Sequence, residues 1–211
     1  MKVDEVSYKG LKFKYRHDTT DWGIIKEACG GLNTRWFDVE PGEIWADIGA
    51  HIGSFTCYAA SKKAVVMAFE PVPANFTLLI ENIALNGLQS YVQANNKAVT
   101  GHGKPIKLFL DTMNFGNCGK YEKDLTEYIY MDSVKASRFT IFDELCLKID
   151  TEGCEYEILS QLDLTKVKKL VFEYHDWLDT DMSHKLEVQD WIHTYFPHQE
   201  EHGGYMHYAW R

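Results

Sequence analysis

The 211-residue chain is long enough for one well-filled domain rather than two. With 45% hydrophobic and 25% charged residues it has the make-up of an ordinary globule, which excludes a disordered chain. The formal net charge of −9 opposes a phosphate backbone, so nucleic acid is not the expected partner. Met1 to Arg16 is polar and basic, and no stretch of about 18 apolar residues occurs, so neither an export signal nor a membrane span is expected. Cys29, Cys57, Cys118, Cys146 and Cys154 are odd in number and contain no C-x-x-C pair. That pattern suits free, buried thiols in a reducing compartment, and a cytoplasmic location is expected.

Residues 3–16 read as two short strands around Lys9-Gly10. Lys12, Lys14 and Arg16 alternate on one face, as a solvated edge or a contact for an anionic substrate. Thr19-Thr20-Asp21 can cap a short helix carrying Trp22, Ile25 and Ala28, which Gly30-Gly31 would stop. A strand–helix alternation then begins: strand Ile44–Ile48, helix Ser54–Lys62, strand Ala64–Phe69 and helix Ala74–Asn86. Tyr91–Ala94, Cys146–Ile149 and Leu170–Glu173 are further apolar strands, with helices at Cys154–Leu162 and Ser183–Tyr195. Apolar strands alternating with helices imply a mostly parallel sheet covered on both faces. Gly203-Gly204 predicts a turn into a last, antiparallel strand, Tyr205–Trp210. Asp111–Glu127, with Asn114, Gly116 and Asn117, is too long for an idle connection and is expected to act as a lid.

Chemistry concentrates after the first apolar strand, where Asp47-Ile48-Gly49-Ala50-His51-Ile52-Gly53 opens onto a helix. Glu70 closes the next strand about 20 residues on, the spacing at which an acid takes ribose hydroxyls. The glycines allow close backbone approach to a ligand. A dinucleotide fingerprint has glycine where Asp47 stands, because pyrophosphate must fit the turn. A carboxylate there repels pyrophosphate and suits the cationic end of S-adenosylmethionine. His51 is expected to shape the loop rather than to react.

WADIGAHIGSFT, MAFEPVPANFTLLIENIALNG, ANNKAVTGHGKPIKL and LKIDTEGCEYEIL occur in this order, and the chain from about Phe37 to Glu173 resembles FkbM-type methyltransferases. The resemblance implies an α/β, Rossmann-like class I methyltransferase fold, a seven-stranded mostly parallel sheet with an antiparallel last strand and helices on both faces. One domain would span 1–211, with 1–36 a hairpin-and-helix extension and 37–211 the core. It implies S-adenosyl-L-methionine as cofactor, with Asp47, Gly49 and Gly53 at the methionine end, Glu70 on the ribose and Asn96 beside the adenine. Ala50, His51, Pro71, Asn75 and Asp150 complete the expected contacts. Members mostly methylate hydroxyls, so the implied partner is a small-molecule or saccharide acceptor.

Asp150, Glu152, Glu173 and His175 are expected to converge at the strands' carboxyl ends, where ligands of open α/β sheets sit. His175 suits a general base, its reference pKa of about 6.5 lying near neutrality, with Asp150 as the substitute. Asp150 and Glu173 would orient its ring or join it around a divalent cation; the metal-free base is preferred, for want of ligand spacing. Glu152 and Glu155 can alternatively cap the following helix. His198-Gln199-Glu200-Glu201-His202 fits an inverted zinc-peptidase pattern, but Pro197 and Gly203-Gly204 leave no room for the helix it needs. Two other functions stay open: a cofactor-binding interaction module without turnover, and an RNA ribose methyltransferase, which the negative charge disfavours.

Overall fold

Five strands, most of them apolar and largely buried, build the centre of the molecule. In a computed structural model, which describes residues 2–30, 38–111, 118–120, 127–175, 183–202 and 206–211, these are β3 (Ile44–Ile48), β4 (Val65–Phe69), β5 (Val92–Asn95), β10 (Leu145–Ile149) and β11 (Val167–Glu173). They pair in parallel in the order β11-β10-β3-β4-β5. β13 (Met206–Trp210) runs antiparallel to β11, and β12 (His198–His202) pairs antiparallel to β13 at the sheet's edge. The result is the expected seven-stranded sheet with one reversed strand.

Side chains alternate between two cores. Trp45, Val66, Ala68, Cys146 and Val171 face one layer, with α1 (Asp21–Ala28), α2 (Ser54–Ser61) and α3 (Pro73–Leu85). Ala46, Ile48, Leu147, Ile149, Leu170 and Phe172 face the other, with α4 (Glu155–Leu159) and α5 (Ser183–Tyr195). All five cysteines are buried and unbridged. β6 (Ala98–Thr100) pairs in parallel with β9 (Ser133–Lys135), and β7 (Ile106–Phe109) forms a ribbon with β8 (Tyr128–Met131), beside the main sheet. No helix among the described residues is long and apolar enough to cross a membrane.

The amino-terminal hairpin, β1 (Val3–Tyr8) and β2 (Leu11–Arg16), is fastened to α3 by two carboxamides one turn apart. Asn82 accepts the Lys14 N–H at 2.7 Å and donates to the Lys14 carbonyl at 3.1 Å. Asn86 repeats this with Lys12 at 2.8 and 2.7 Å. Each side chain acts as a peptide group would in a neighbouring strand. Lys12 is exposed and Lys14 meets Glu81 at 3.1 Å, as a solvated face predicts. Arg16 departs from that reading: it is 4% exposed and paired with a fully buried Asp21.

Two further expectations are corrected. His198–His202, for which the sequence offered no strand, is an edge strand of the main sheet paired antiparallel with β13, and that extended backbone also removes the helix a zinc peptidase would need. The helix expected at Cys154–Leu162 is shorter, Glu155–Leu159. The lid expected in Asp111–Glu127 falls largely on residues 112–117 and 121–126, outside the described residues, as does the Gly203-Gly204 turn.

Candidate active site

β3 and β10 are neighbours in the sheet although far apart in the chain, and this change of strand order opens a crevice at their carboxyl ends. The glycine loop after β3 sits on that edge. Gly49 and Ala50 both donate to the Phe69 carbonyl at 2.9 Å, tying the loop to the end of β4. Gly49 has φ +82°, and a Cβ there would stand 1.7 Å from the Asp150 carbonyl oxygen. Gly53 has φ +86°, and its Cβ would meet Leu79 Cδ1 at 2.5 Å. Gly49 is therefore dictated by packing against the end of β10, and Gly53 by its left-handed backbone, and neither by ligand approach alone.

Glu70 is buried at the loop's other side. Its Oε2 accepts the His51 N–H at 2.8 Å, and its Oε1 accepts the Val72 N–H at 2.8 Å and an Asn75 amide hydrogen at 3.3 Å. Burial raises its pKa, against the His51 and Val72 hydrogen bonds that favour the carboxylate. Asn96 donates to the Glu70 and Pro71 carbonyls at 2.8 and 3.1 Å, bracing the turn that aims Glu70.

Lys148 is the residue that sequence reasoning passed over. Its ammonium donates to the Gly49 carbonyl at 2.7 Å and lies 3.5 Å from Asp47 and 3.6 Å from Asp150. Burial works against that charge, but the two carboxylates outweigh it and raise the lysine's pKa. Asp47, whose other oxygen accepts from Thr56 at 2.5 Å, thus already has a cation. A cationic ligand expected beside Asp47 would share that carboxylate with Lys148.

On the opposite side stand the four expected acceptor-side groups. Glu155, buried at the start of α4, accepts from the Thr151 N–H and hydroxyl at 3.0 and 2.8 Å and the Gly153 N–H at 3.1 Å. It holds His175 Nδ1 at 3.2 Å, while His175 Nε2 lies 3.6 Å from Glu152 and 3.9 Å from Glu173. Burial disfavours the imidazolium, yet Glu155, Glu152 and Asp150 together push the His175 pKa up to about 9. The expected base near neutrality is therefore a cation at pH 7, which has no lone pair to offer. Glu173 is pushed up to about 7 by burial and by the Asp150 charge, with His175 pulling the other way. One ligand atom from each of Asp150, Glu173 and His175 also lies within 4.8 Å of the other two, a spacing a divalent ion could bridge.

These groups surround a cavity of about 280 Å³. Gly49, Ala50, His51, Glu70, Pro71, Asn75, Asp150, Glu152 and Glu173 line it, as does Lys148. Asp47, Gly53, Asn96 and His175 stand behind that lining: the first three support the loop and the Glu70 turn, the last contacts the acidic wall. Thr20, Ile24, Glu27 and Ala28 also line it, from a segment for which the sequence offered no ligand signal. Two buried polar atoms of lining residues, His51 Nδ1 and Ser54 Oγ, have no hydrogen-bond partner among the described residues. Orphaned polar atoms at a cavity suit a ligand rich in hydrogen-bonding groups.

Residues 47–204 match the family model of the methyltransferase FkbM domain. Over 143 residues the chain is 27% identical to Methyltransferase 1 of Beauveria bassiana, covering 56% of this chain and 57% of that protein. Over 58 residues it is 36% identical to a tRNA (guanine(37)-N(1))-methyltransferase of Schizosaccharomyces pombe, covering 28% of this chain and 13% of that protein. The chain thus spans little more than half of one curated relative and a small part of the other. Among solved structures it is similar to precorrin-6y C5,15-methyltransferase of Geobacter metallireducens, with TM-score 0.51 and 10% identity over 93% of this chain and 92% of that one, a likeness of fold.

Proposed function

The chain belongs to the FkbM methyltransferase family, and from that premise we propose that it methylates a hydroxyl group on a small polyhydroxylated acceptor, such as a saccharide. S-adenosylmethionine supplies an activated methyl group when bound. Glu70 takes the ribose hydroxyls in this reading: backbone N–H donors hold both carboxylate oxygens, and Oε2, with a single donor, keeps a lone pair for them. The polar contacts that His51 Nδ1 and Ser54 Oγ lack fit the same molecule.

Methyl transfer needs an aligned acceptor and, for a hydroxyl, a base for its proton. Glu173 is that base in this reading: its place in the cavity lining beside Asp150 carries the assignment, and burial with the Asp150 charge raises its pKa to about 7. Asp150 repels the second negative charge and keeps the Glu173 carboxylate basic. The His175 imidazolium, held by Glu155, faces Glu173 and prevents its pKa from rising further. His175 is thus a positioning residue, in place of the base expected from its type.

The test is transfer of radiolabelled methyl from S-adenosylmethionine to a panel of alcohols, saccharides and tRNA, with and without chelator. Label in an ether of an alcohol or saccharide, retained in chelator, is the expected result. Label in tRNA would replace the acceptor, and activity restored only by magnesium would reassign Asp150, Glu173 and His175 to a metal. Cofactor binding without turnover on any acceptor would favour the interaction module.

A further inference from the structure

The strongest feature outside the matched residues 47–204 is a buried ionic contact between the amino-terminal segment and the glycine loop. Arg16, at the end of β2, grips Asp21, at the start of α1, through Nε–Oδ2 at 2.9 Å and Nη2–Oδ1 at 3.0 Å. The Arg16 backbone N–H donates to the same carboxylate at 2.9 Å. Arg16 is 4% exposed and Asp21 is wholly buried. Asp21 Oδ1 also stands 3.2 Å from Nε2 of His51, as does Arg16 Nη2. His51 lies between Gly49 and Gly53 with φ +54°, and its own N–H is held by Glu70. Backbone and ring are thus fixed from opposite sides, one by the cofactor-side carboxylate and one by the extension.

A buried ion pair is a poor source of stability, since an apolar pair of similar volume serves as well or better. What this pair does is fix an imidazole. An ionised carboxylate only accepts and a guanidinium only donates, so Asp21 calls for Nε2–H while Arg16 Nη2, at the same 3.2 Å, calls for a bare Nε2; the ring is assigned the Nε2–H form. That tautomer leaves Nδ1 as an acceptor, and Nδ1 is buried without a hydrogen-bond partner among the described residues, on a side chain that lines the cavity. α1 lines the same cavity with Ile24, Glu27 and Ala28.

We propose that the amino-terminal hairpin and α1 are a working part of the cofactor site: Arg16 and Asp21 are positioning residues that hold His51 so that Nδ1 accepts a hydrogen bond from an N–H or O–H of bound S-adenosylmethionine. The inference rests on the cofactor assignment above and adds to it a chain of three side chains that begins outside the family-matched residues.

A double-mutant cycle on cofactor affinity tests it, using the full chain and calorimetry. Asp21→Asn replaces the acceptor-only carboxylate with an amide that can donate as well as accept and so no longer fixes the tautomer, and His51→Gly removes the ring while keeping the left-handed backbone accessible. Asp21→Asn is expected to weaken S-adenosylmethionine binding about tenfold in the parent and less than about twofold in the His51→Gly background. An equal loss in both backgrounds would overturn the relay, because Asp21 would then act through general structure. If Asp21→Asn does not fold, nitrogen NMR of the unaltered protein decides. An Nε2–H His51 whose Nδ1 resonance shifts on cofactor addition supports the proposal, and an Nδ1–H ring or an unmoved resonance refutes it. Failure of the unaltered protein to bind S-adenosylmethionine at all is a separate result, which removes the cofactor assignment and the relay with it.

Discussion

The two ends of the cavity are built on different principles. At the cofactor end, Glu70 is held by its near neighbours in the chain, Val72 and Asn75, and by the loop N–H of His51. At the proposed acceptor end, Asp150, Glu152, Glu173 and His175 come from two strand ends and hold one another chiefly by charge. A site fixed by backbone donors binds the same ligand at any neutral pH. A site fixed by mutual charge has titrations that belong to the group, and it can shift a proton.

The sharpest test of this contrast is Glu173→Gln. Loss of the base is expected to reduce kcat by about 10²- to 10³-fold, with the cofactor Kd changed by less than about twofold. Stopped-flow turnover and calorimetry on the same preparation separate the two quantities. A normal kcat would move the base to Asp150. Glu70→Ala should show the converse, weakening cofactor binding by about 1.5–3 kcal/mol, or roughly ten- to a hundredfold. If both variants impaired affinity equally, the two ends would be one network and the distinction would fail.

A finer probe uses pH. With Glu173 near 7, kcat is expected to rise with pH through about 7 and level off once the carboxylate is free. His175 carries a positive charge across that range, because its own pKa is pushed up to about 9. The charge favours the Glu173 carboxylate, so His175→Ala should move the acidic limb to higher pH while cofactor Kd stays constant. A limb that stays in place, or moves to lower pH, would show that the imidazolium does not act on Glu173.

What was legible in the sequence follows the same division. The strand–turn–helix after β3, the Glu70 spacing and a mostly parallel α/β sheet depend on local pattern and were readable from it, whereas the count of seven strands came only with the family resemblance. Lys148 was not weighed because its partners, Asp47 and the Gly49 carbonyl, are brought to it only by the pairing of β3 with β10. Arg16 looked like Lys12 and Lys14 because alternation cannot show that one member of a basic face finds a buried carboxylate across a turn. β12 was missed because a strand paired on one side only can be as polar as a loop. His175 lies beside the acidic wall of the cavity, as the strand ends predicted, but its charge state depends on carboxylates whose distances no sequence spacing encodes.

The smallest expected effect comes from an ionic cluster away from the cavity, which serves as a control for the pH argument. Glu43, just before β3, accepts from the Glu40 N–H at 2.9 Å and the Trp45 indole at 3.0 Å, and both Lys168 and Lys169 approach to 2.9 Å. Burial raises its pKa, but these donors prevail and lower it to about 2. The folded chain therefore binds a proton here less readily than the unfolded chain. The stabilisation is complete above the ordinary value of 4.5 and fades as pH falls toward 2. Glu43→Gln should cost about 1 kcal/mol near neutrality, or roughly 2–4 °C in melting temperature, with the difference from the parent closing as the pH falls. The kcat profile near pH 7 should not move, since Glu43 is charged throughout that range. A shift of the acidic limb in Glu43→Gln would mean that the limb reports unfolding rather than Glu173.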